Sequence, residues 1–307
     1  MASLADSVPE TPAAASSSRP MPWTAIAWFT VLMIATYFPI LKHLVWQWST
    51  DEDVGHGFFV PVVAGYVAWQ RREELLALRS QPTRWGWLVL FWGAAQAYIG
   101  TVGAELFLQR TAFLITLCGI LIVLGGKPLM KALAFPLLLL LFMVPLPTVV
   151  YNQITFPLQL LASRVAEVML GLFGIPVLRD GNVLELASQR LSVAEACSGI
   201  RSLLSLSFLS LVFAYFFDSK VWMRWVLLIL TVPIAIVVNS ARVTLTGVLS
   251  EVNPDLAKGL FHSVEGWLVF VLALILLFAS HRLINWIWKR MGGNKTPAAP
   301  VEGATNA

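Results

Sequence analysis

Charged residues are scarce in this chain: 21 Lys and Arg and 17 Asp and Glu make up only 12% of its 307 residues. Soluble domains carry about a quarter charged residues. Together with 58% hydrophobic residues, this scarcity excludes a soluble enzyme, a disordered chain and a coiled coil, because none could keep so much apolar surface from water. The two cysteines are too few for a disulfide-stapled secreted domain. The mean hydropathy of +0.75 indicates an integral membrane protein.

Long apolar runs recur along most of the chain. A bilayer core needs about 20 mostly apolar residues per helix. The sequence therefore predicts an all-α polytopic membrane protein of about eight transmembrane helices. The predicted spans are 22–41, 56–70, 85–104, 106–125, 132–149, 199–217, 224–240 and 265–285.

The basic residues give these spans an orientation. If eight spans alternate, 13 of the 21 basic residues fall on one side, namely Arg19, Arg71, Arg72, Arg79, Arg84, Lys127, Lys131, Lys220, Arg224, Arg282, Lys289, Arg290 and Lys295. The positive-inside rule makes that side the cytoplasm and places both termini there. The net charge of +4 is then a property of membrane topology, so we expect no nucleic-acid partner.

We expect a single transmembrane domain at 22–290, with disordered cytoplasmic tails at 1–21 and 291–307. The tails are rich in Ala, Ser, Pro, Gly and Asn, a composition that does not build packed elements. No signal peptide is evident, because the first apolar stretch is full length and lacks a small-residue cleavage site.

One outer segment, 150–198, is much longer than the other connections. Polar residues recur at helical spacing in 153–171, which predicts an amphipathic helix at the membrane interface. A buried ninth membrane helix is the alternative, and it would invert the topology that follows. Apolar and polar residues then alternate around Asp180-Gly181 and Ala187–Gln189, which predicts a small β-hairpin or meander. This element leads directly into Cys197.

The two cysteines have different surroundings. Cys118 lies within an apolar span, where a thiol behaves as a small hydrophobic group. Cys197 lies at the outer end of the sixth predicted span, at the edge of a helix start where free backbone N–H groups stabilise a thiolate. It is therefore a candidate nucleophile. The alternative is that Ala-Cys-Ser-Gly is a small-residue helix start packed against a neighbour.

A thiolate needs a proton shuttle, and the chain has four histidines. His281 lies at the cytoplasmic end of the last span, too far from Cys197. His43 suits a polar anchor at the membrane interface. His56 and His262 both lie on the outer side, and topology alone does not choose between them as the general base.

A cation at the outer face would complete the site. Arg242 lies at the outer end of the seventh span, where an ionisable residue is costly unless it pairs or functions. Arg201, one helical turn after Cys197, is the rival. Either arginine could instead form a structural salt bridge to Glu195, Glu251 or Glu265. We expect no metal site and no cofactor, because no pair of His or Cys has ligand spacing.

Four segments, taken in order, resemble the exosortase/archaeosortase family of multi-pass membrane proteins. They are His56–Pro61 with Trp69–Arg72, Glu195–Ser202, Asn239–Val243 and His262–Trp267. The resemblance covers roughly residues 22–285, and the order and spacing of the segments make the combination specific.

The resemblance implies a Cys-Arg-His transpeptidase in a bacterial inner membrane, with its active site on the periplasmic face. Cys197 would be the nucleophile, Arg242 the polarising cation and His262 the acid/base. The implied partners are exported proteins that end in a Pro-Glu-Pro motif, a helix and a basic tail, together with an unknown surface acceptor. A link to exopolysaccharide production is also implied. The residues that we expect around the bound motif are Arg201, Arg190, His56, Asn239 and Glu195.

Two other classes of protein fit parts of the pattern. A transporter or export component for polysaccharide precursors would explain the many spans, the buried charges and the Pro-interrupted helices. A lipid or carbohydrate acyltransferase could use His262 without a thiol. Replacement of Cys197 separates these classes, because only a thiol enzyme would lose all turnover.

Overall fold

The computed structural model of the protein describes residues 19–193, 199–252 and 260–291. The chain forms two compact units that join between Pro145 and Leu146. Most of the two predicted tails, at 1–18 and 292–307, and the segment around Cys197 lie outside the described residues.

The first unit is helical, with one short pair of strands. Its helices are α1 (Trp23–Thr36), α2 (Phe38–Thr50), α3 (Phe59–Gln70), α4 (Arg72–Ala77), α5 (Trp85–Val102), α6 (Leu106–Leu124) and α7 (Gly126–Leu140). Two 3₁₀ segments, Glu52–Phe58 and Leu141–Met143, follow α2 and α7. Strands β1 (Arg19–Pro20) and β2 (Arg79–Ser80) pair antiparallel, so two residues at the end of the predicted N-terminal tail belong to a strand.

Helices α5 and α6 pack closely because α5 carries a stripe of glycines. Gly86, Gly93 and Gly100 are buried at seven-residue spacing, which keeps them on one face of the helix. A Cβ on Gly93 would lie 2.6 Å from Oγ1 of Thr116, and one on Gly100 would lie 2.9 Å from the amide nitrogen of Gln109. Small residues let membrane helices approach to backbone contact, and this stripe fixes the α5–α6 pair.

Within its described residues, the second unit has four helices and a small sheet. The helices are α8 (Thr148–Leu172), α9 (Gly199–Phe217), α10 (Val221–Val252) and α11 (Leu260–Arg290). Strands β3 (Val177–Asp180), β4 (Val183–Leu186) and β5 (Arg190–Ser192) form an antiparallel meander in the order β3-β4-β5. The strands lie where the alternation of the sequence predicted them.

The turn between β3 and β4 explains the register of the meander. Gly181, the first of the two loop residues, has φ +61°, whereas no positive φ occurs at Asn182. Positive φ at the first central residue alone is the pattern of a type II′ turn, which glycine favours. This turn pairs Asp180 with Val183 and sets every pair beyond it.

Two hydrophobic clusters hold the described part of the second unit together. One joins α8, the sheet and α10, with Ala162, Ala166, Leu170, Leu184, Leu186, Leu191, Val193 and Val243 at its centre. The other joins α9, α10 and α11 around Leu206, Met223, Leu227 and Val269. The small face of α8 is thus covered by protein, while the placement of α8 at the membrane interface stays a prediction.

The protein is a multi-pass membrane protein, but eight long spans are not confirmed. Within the described ranges, four helical segments are long and apolar enough to cross a bilayer: Leu106–Leu124, Gly126–Met143, Val221–Val252 and Gly266–Arg290. A fifth span exists if α1 and α2, which are inclined by 70°, count as one. Helix α3 has 12 residues and is therefore about 18 Å long, shorter than the roughly 30 Å bilayer core.

Gly126 provides a test of this fold. It starts α7 with φ +72°, and an added Cβ would clash with the carbonyl oxygen of Gln81. We expect Gly126→Ala to lower the free energy of unfolding by about 1–3 kcal/mol, because both strain and steric overlap oppose it. Gly65→Ala, where a Cβ meets nothing within 4 Å, is the matched control. Thermal unfolding in detergent measures both, and equal midpoints would contradict the assignment of strain to Gly126.

Candidate functional site

Arg242 lies in the interior of the second unit. It is on α10, with only 6% of its surface exposed. The polar residues around it satisfy their hydroxyl groups within the helix: Oγ1 of Thr246 donates to the Arg242 carbonyl at 3.0 Å, and Oγ1 of Thr244 donates to the Ser240 carbonyl at 2.8 Å. Such back-bonding lets a polar stretch stay helical away from water. The helix therefore holds a guanidinium group at a buried position.

Helix α11 leaves room for this guanidinium at Gly266. A Cβ on Gly266 would lie 3.5 Å from Nη2 of Arg242 and 3.8 Å from its Cζ. The guanidinium of Arg242 thus lies beside α11 at Gly266, in the space that a larger side chain at this position would enter. His262 is one helical turn before Gly266 in the same helix, and residues four apart share a helix face.

The meander is fastened to the same helix as Arg242. The amide and the hydroxyl of Ser188 donate to Oε1 of Glu251 at 3.1 and 2.7 Å. Nε2 of Gln189 donates to Oγ of Ser250 at 2.6 Å. These hydrogen bonds hold the β4–β5 loop against the C-terminal part of α10. They therefore fix the position of the start of β5, the strand that precedes Cys197.

Val193, which follows β5 directly, is also held in place. Its amide donates to the carbonyl of Asn182 at 2.9 Å, and its fully buried side chain packs in the cluster that contains Val243. Val243 is the residue after Arg242. The chain that leads to Cys197 is therefore anchored in the same hydrophobic cluster as the helical turn of Arg242.

The other predicted site residues are described to different extents. Cys197 and Glu195 lie outside the described residues. Arg201 belongs to α9 and His262 to α11, but the described part of the structure does not include their side chains. Asn239 is buried on α10, three residues before Arg242 and thus on the same side of the helix.

Arg190 lies on β5 and is paired. Its Nη2 lies 2.6 Å from Oε1 of Glu185 across the β4–β5 pair, and its side chain is 78% exposed. An ion pair this exposed contributes little to stability. Arg190 is therefore available at the surface of the meander rather than committed to the core.

His56 belongs to the first unit, in the 3₁₀ segment before α3. Its Nε2–H donates to the carbonyl of Phe142 at 3.2 Å, while the buried Nδ1 has no hydrogen-bond partner among the described residues. Burial lowers the pKa of His56, and the hydrogen bond to Phe142 raises it by less, so the net shift is downward. The ring is therefore neutral at pH 7.

Two more histidines have structural partners. Nη2 of Arg110 donates to Nδ1 of His43 at 3.2 Å and to Oε1 of Gln47 at 2.7 Å. The position predicted as an interfacial anchor thus helps to satisfy a buried arginine. His281 lies 3.0 Å from Oδ2 of Asp218, and it is 19 residues after His262 in the same helix, or about 28 Å away.

Sequence reasoning missed the role of Gly266. The sequence did contain a signal for it. Gly266 lies four residues after His262, a candidate general base, and a glycine at that position lets another side chain approach the same face of the helix closely. The hydrogen bonds from Ser188 and Gln189 to α10 had no such signal, since their partners are 63 and 61 residues away.

This chain is similar to a known family of proteins. No curated protein matches the chain, and no solved structure matches it either. A family model described as transmembrane exosortase matches residues 48–279. The match includes the meander and the positions of Cys197, Arg242 and His262, and it spans most of the chain. The protein therefore belongs to the transmembrane exosortases, a family of membrane transpeptidases.

Proposed function

We propose that this protein is a cysteine protease and transpeptidase that cleaves C-terminal sorting signals of exported proteins through a thioester on Cys197. The signal would be a Pro-Glu-Pro motif, a transmembrane helix and a basic tail. The cleaved protein then passes to a surface acceptor, in support of exopolysaccharide production. The enzyme works in the bacterial inner membrane, with its site on the periplasmic face and both termini in the cytoplasm.

The contact between Arg242 and Gly266 carries this proposal. Arg242 is only 6% exposed, and a buried ionisable residue is costly in a membrane protein unless it pairs or functions. It packs against α11 one helical turn from His262. A permanent cation and a proton shuttle on facing helices are what an acyl transfer site requires.

The reach of the chain supports Cys197 as the third member. Val193 is held in the cluster beside Arg242, and four residues span at most about 14 Å. Gly199 starts α9 only two residues after Cys197. These two flanking residues support our proposal that the Cys197 thiol acts beside Arg242.

In the first step, the Cys197 thiolate attacks the carbonyl carbon of the scissile peptide, and the carbonyl electrons move to oxygen. Arg242 donates hydrogen bonds to this oxyanion. When the tetrahedral species collapses, the C–N bond breaks, and His262 gives its proton to the leaving amine. A thioester on Cys197 remains.

In the second step, the acceptor nucleophile loses its proton to His262 and attacks the thioester carbonyl. Collapse breaks the C–S bond and restores the thiolate, while His262 keeps the proton for the next cycle. The substrate's own membrane helix holds the motif at the site, which turns recognition into a local encounter. Arg201, Asn239 and Glu195, with Arg190 and His56, are the residues that we propose around the motif.

A co-expression assay tests the proposal. A tagged protein that ends in the Pro-Glu-Pro signal, a helix and a basic tail is expressed with the wild-type chain or with Cys197→Ala. We expect loss of the tail, seen as a gel shift, only with the wild type. Equal processing by the two chains would reject the proposal, as would a lack of processing of any such signal by a folded enzyme. Either result would favour a transporter or export component for polysaccharide precursors.

Gly266 allows a separate prediction on Arg242. We expect Gly266→Leu to lower the cleavage rate about 100-fold, because its side chain would occupy the space of the guanidinium. Gly266→Ala should keep most of the activity, since its Cβ would make an ordinary contact of 3.5 Å with Nη2 of Arg242. Single-turnover cleavage, with thermal unfolding as the folding check, measures both. Equal rates would mean that the guanidinium is not needed there.

A further inference from the structure

A cavity of about 410 Å³ lies in the second unit at the end of the helices far from Arg242. It is bounded by the end of α9, the turn between α9 and α10, and the last third of α11. Lys220 is 22 residues before Arg242, almost all of them in α10, which corresponds to about 33 Å. This distance is close to the thickness of a bilayer core, so the cavity opens at the opposite membrane face from the candidate site.

Three basic side chains line this cavity: Lys220, Arg282 and Lys289. Arg282 and Lys289 are exposed, so their charges face the opening rather than the protein core. Arg282 and Lys289 also line an adjoining cavity of about 530 Å³. The lining therefore presents a concentrated positive charge to whatever enters.

Asp218 is the one acidic residue among those that line the cavity, and its carboxylate is already occupied. It accepts hydrogen bonds from the Lys220 amide at 2.8 Å, from Nδ2 of Asn285 at 2.9 Å and from His281 at 3.0 Å. Burial raises the pKa of Asp218, but these hydrogen bonds and the charge of Lys220 outweigh it, so the net shift is downward. Asp218 thus acts as an internal counter-ion that braces the turn.

Nζ of Lys220 is oriented by the same group. It donates to Oδ1 of Asn285 at 2.6 Å and lies 3.6 Å from Oδ1 of Asp218. One of the three cations is thereby balanced internally, whereas Arg282 and Lys289 form no ion pair with a carboxylate in the part of the chain that the structure describes. The cavity keeps a net positive charge and suits an anion.

Three phenylalanines also line the cavity. Phe213, Phe217 and Phe278 form one wall, and Phe217 and Phe278 are 69% and 47% exposed. A free inorganic anion gains nothing from phenyl rings, because apolar contact stabilises only an apolar ligand. Basic groups beside exposed rings match a ligand with an anionic head and hydrocarbon chains.

We propose that this cavity binds the phosphate headgroup of an anionic phospholipid, with Arg282 and Lys289 at the phosphate and the acyl chains along Phe217 and Phe278. The positive-inside tally places this end of the helices at the cytoplasmic leaflet, where anionic lipids attract basic clusters. The bound lipid would brace the α9–α10 turn and α11, the helix that carries His262.

Arg282 and Arg290 give a matched pair of variants. The guanidinium of Arg282 stacks on Phe278 at 5.1 Å, and that of Arg290 stacks on Trp286 at 4.1 Å. Both are exposed and both lie in the last turns of α11, but only Arg282 lines the cavity. Glutamine at either position removes one charge and one cation–π contact.

Native mass spectrometry of the purified full chain in neutral detergent, titrated with phosphatidylglycerol, tests the proposal. We expect saturable binding that Arg282→Gln weakens about fivefold and Arg290→Gln by less than twofold. Lys289→Gln repeats the test if Arg282→Gln does not yield monodisperse protein. Equal weakening by the two arginine variants would overturn the site in favour of a general basic belt.

Two further ligands separate the sources of phosphate. Phosphatidylcholine has the same chains and phosphate but no net charge, and we expect it to bind at least fivefold more weakly. Glycerol 3-phosphate has the charge without the chains, and we expect no saturable binding at the same concentration. Binding of glycerol 3-phosphate as tight as that of phosphatidylglycerol would assign the cavity to a free phosphate ester and reject a lipid. Equal binding of both lipids would reject charge recognition.

Discussion

Replacing Cys197 by alanine is expected to remove cleavage of the sorting signal altogether, with a rate at least about 10⁴-fold below that of the wild type. No thioester can form without the thiol, and neither Arg242 nor His262 can supply a nucleophile of comparable strength. Cys197→Ser should be nearly as inactive, because the proposed site favours a thiolate and a hydroxyl stays protonated at neutral pH. Single-turnover cleavage of a purified substrate measures the loss.

The second cysteine of the chain is the natural control for this experiment. Cys118 lies as a free, partly buried thiol in α6, a helix that is long and apolar enough to cross a bilayer. Cys118→Ala should keep the wild-type cleavage rate. Trapping with hydroxylamine should release the cleaved protein from the wild type and from Cys118→Ala but not from Cys197→Ala. If Cys197→Ala kept the wild-type turnover, the thiol mechanism would be rejected. The protein would then be an acyltransferase or an export component.

Arg242→Lys is expected to lower the cleavage rate about 10²- to 10³-fold with little change in substrate binding. Lysine keeps the positive charge, but its ammonium is a point charge without the planar fork that can hold a developing oxyanion with two donors. The ammonium group of lysine is also smaller than the guanidinium, so it would leave part of the space beside Gly266 unfilled. A fall in kcat at nearly constant KM, measured on the purified enzyme, is the expected signature.

Arg179→Lys is the matched control for this prediction. Nε of Arg179 donates to Oε2 of Glu167 at 2.7 Å, so it is also a partly buried arginine of the second unit, yet it lies on β3 at a distance in sequence from the proposed triad. We expect it to cost stability alone, with a rate within twofold of the wild type. If Arg179→Lys and Arg242→Lys lose activity equally, the role of Arg242 is structural.

The membrane class and the small sheet were predictable from the sequence because both depend on local patterns. Period-two alternation over Val177–Leu186 needs no distant partner to predict strands. Gly181 supplies the turn on its own. The family was likewise predictable, since its motifs are contiguous segments in a fixed order, and the match over residues 48–279 confirms it.

The number of spans was not settled by the same method. Hydropathy measures how apolar a window is, but not whether the helix within it continues. The chain bends by 70° between α1 and α2, where Pro39 suits the first turn of a new helix. Helix α3 stops after 12 residues. The division into two compact units, too, falls at Pro145 without a linker composition that would have marked it.

Local sequence patterns were enough to assign this protein to the membrane class and to the transmembrane exosortases, and they are the basis on which we propose Cys197, Arg242 and His262 as the catalytic residues. Only the tertiary structure decided that Arg242 is buried against Gly266, that the meander is fastened to α10, and that Asp218 braces a basic cavity at the far end of the helices. The reason is physical. Hydropathy, turn type and motif order are properties of neighbours in the chain, whereas these contacts join residues 24 to 67 positions apart and exist only once helices have packed.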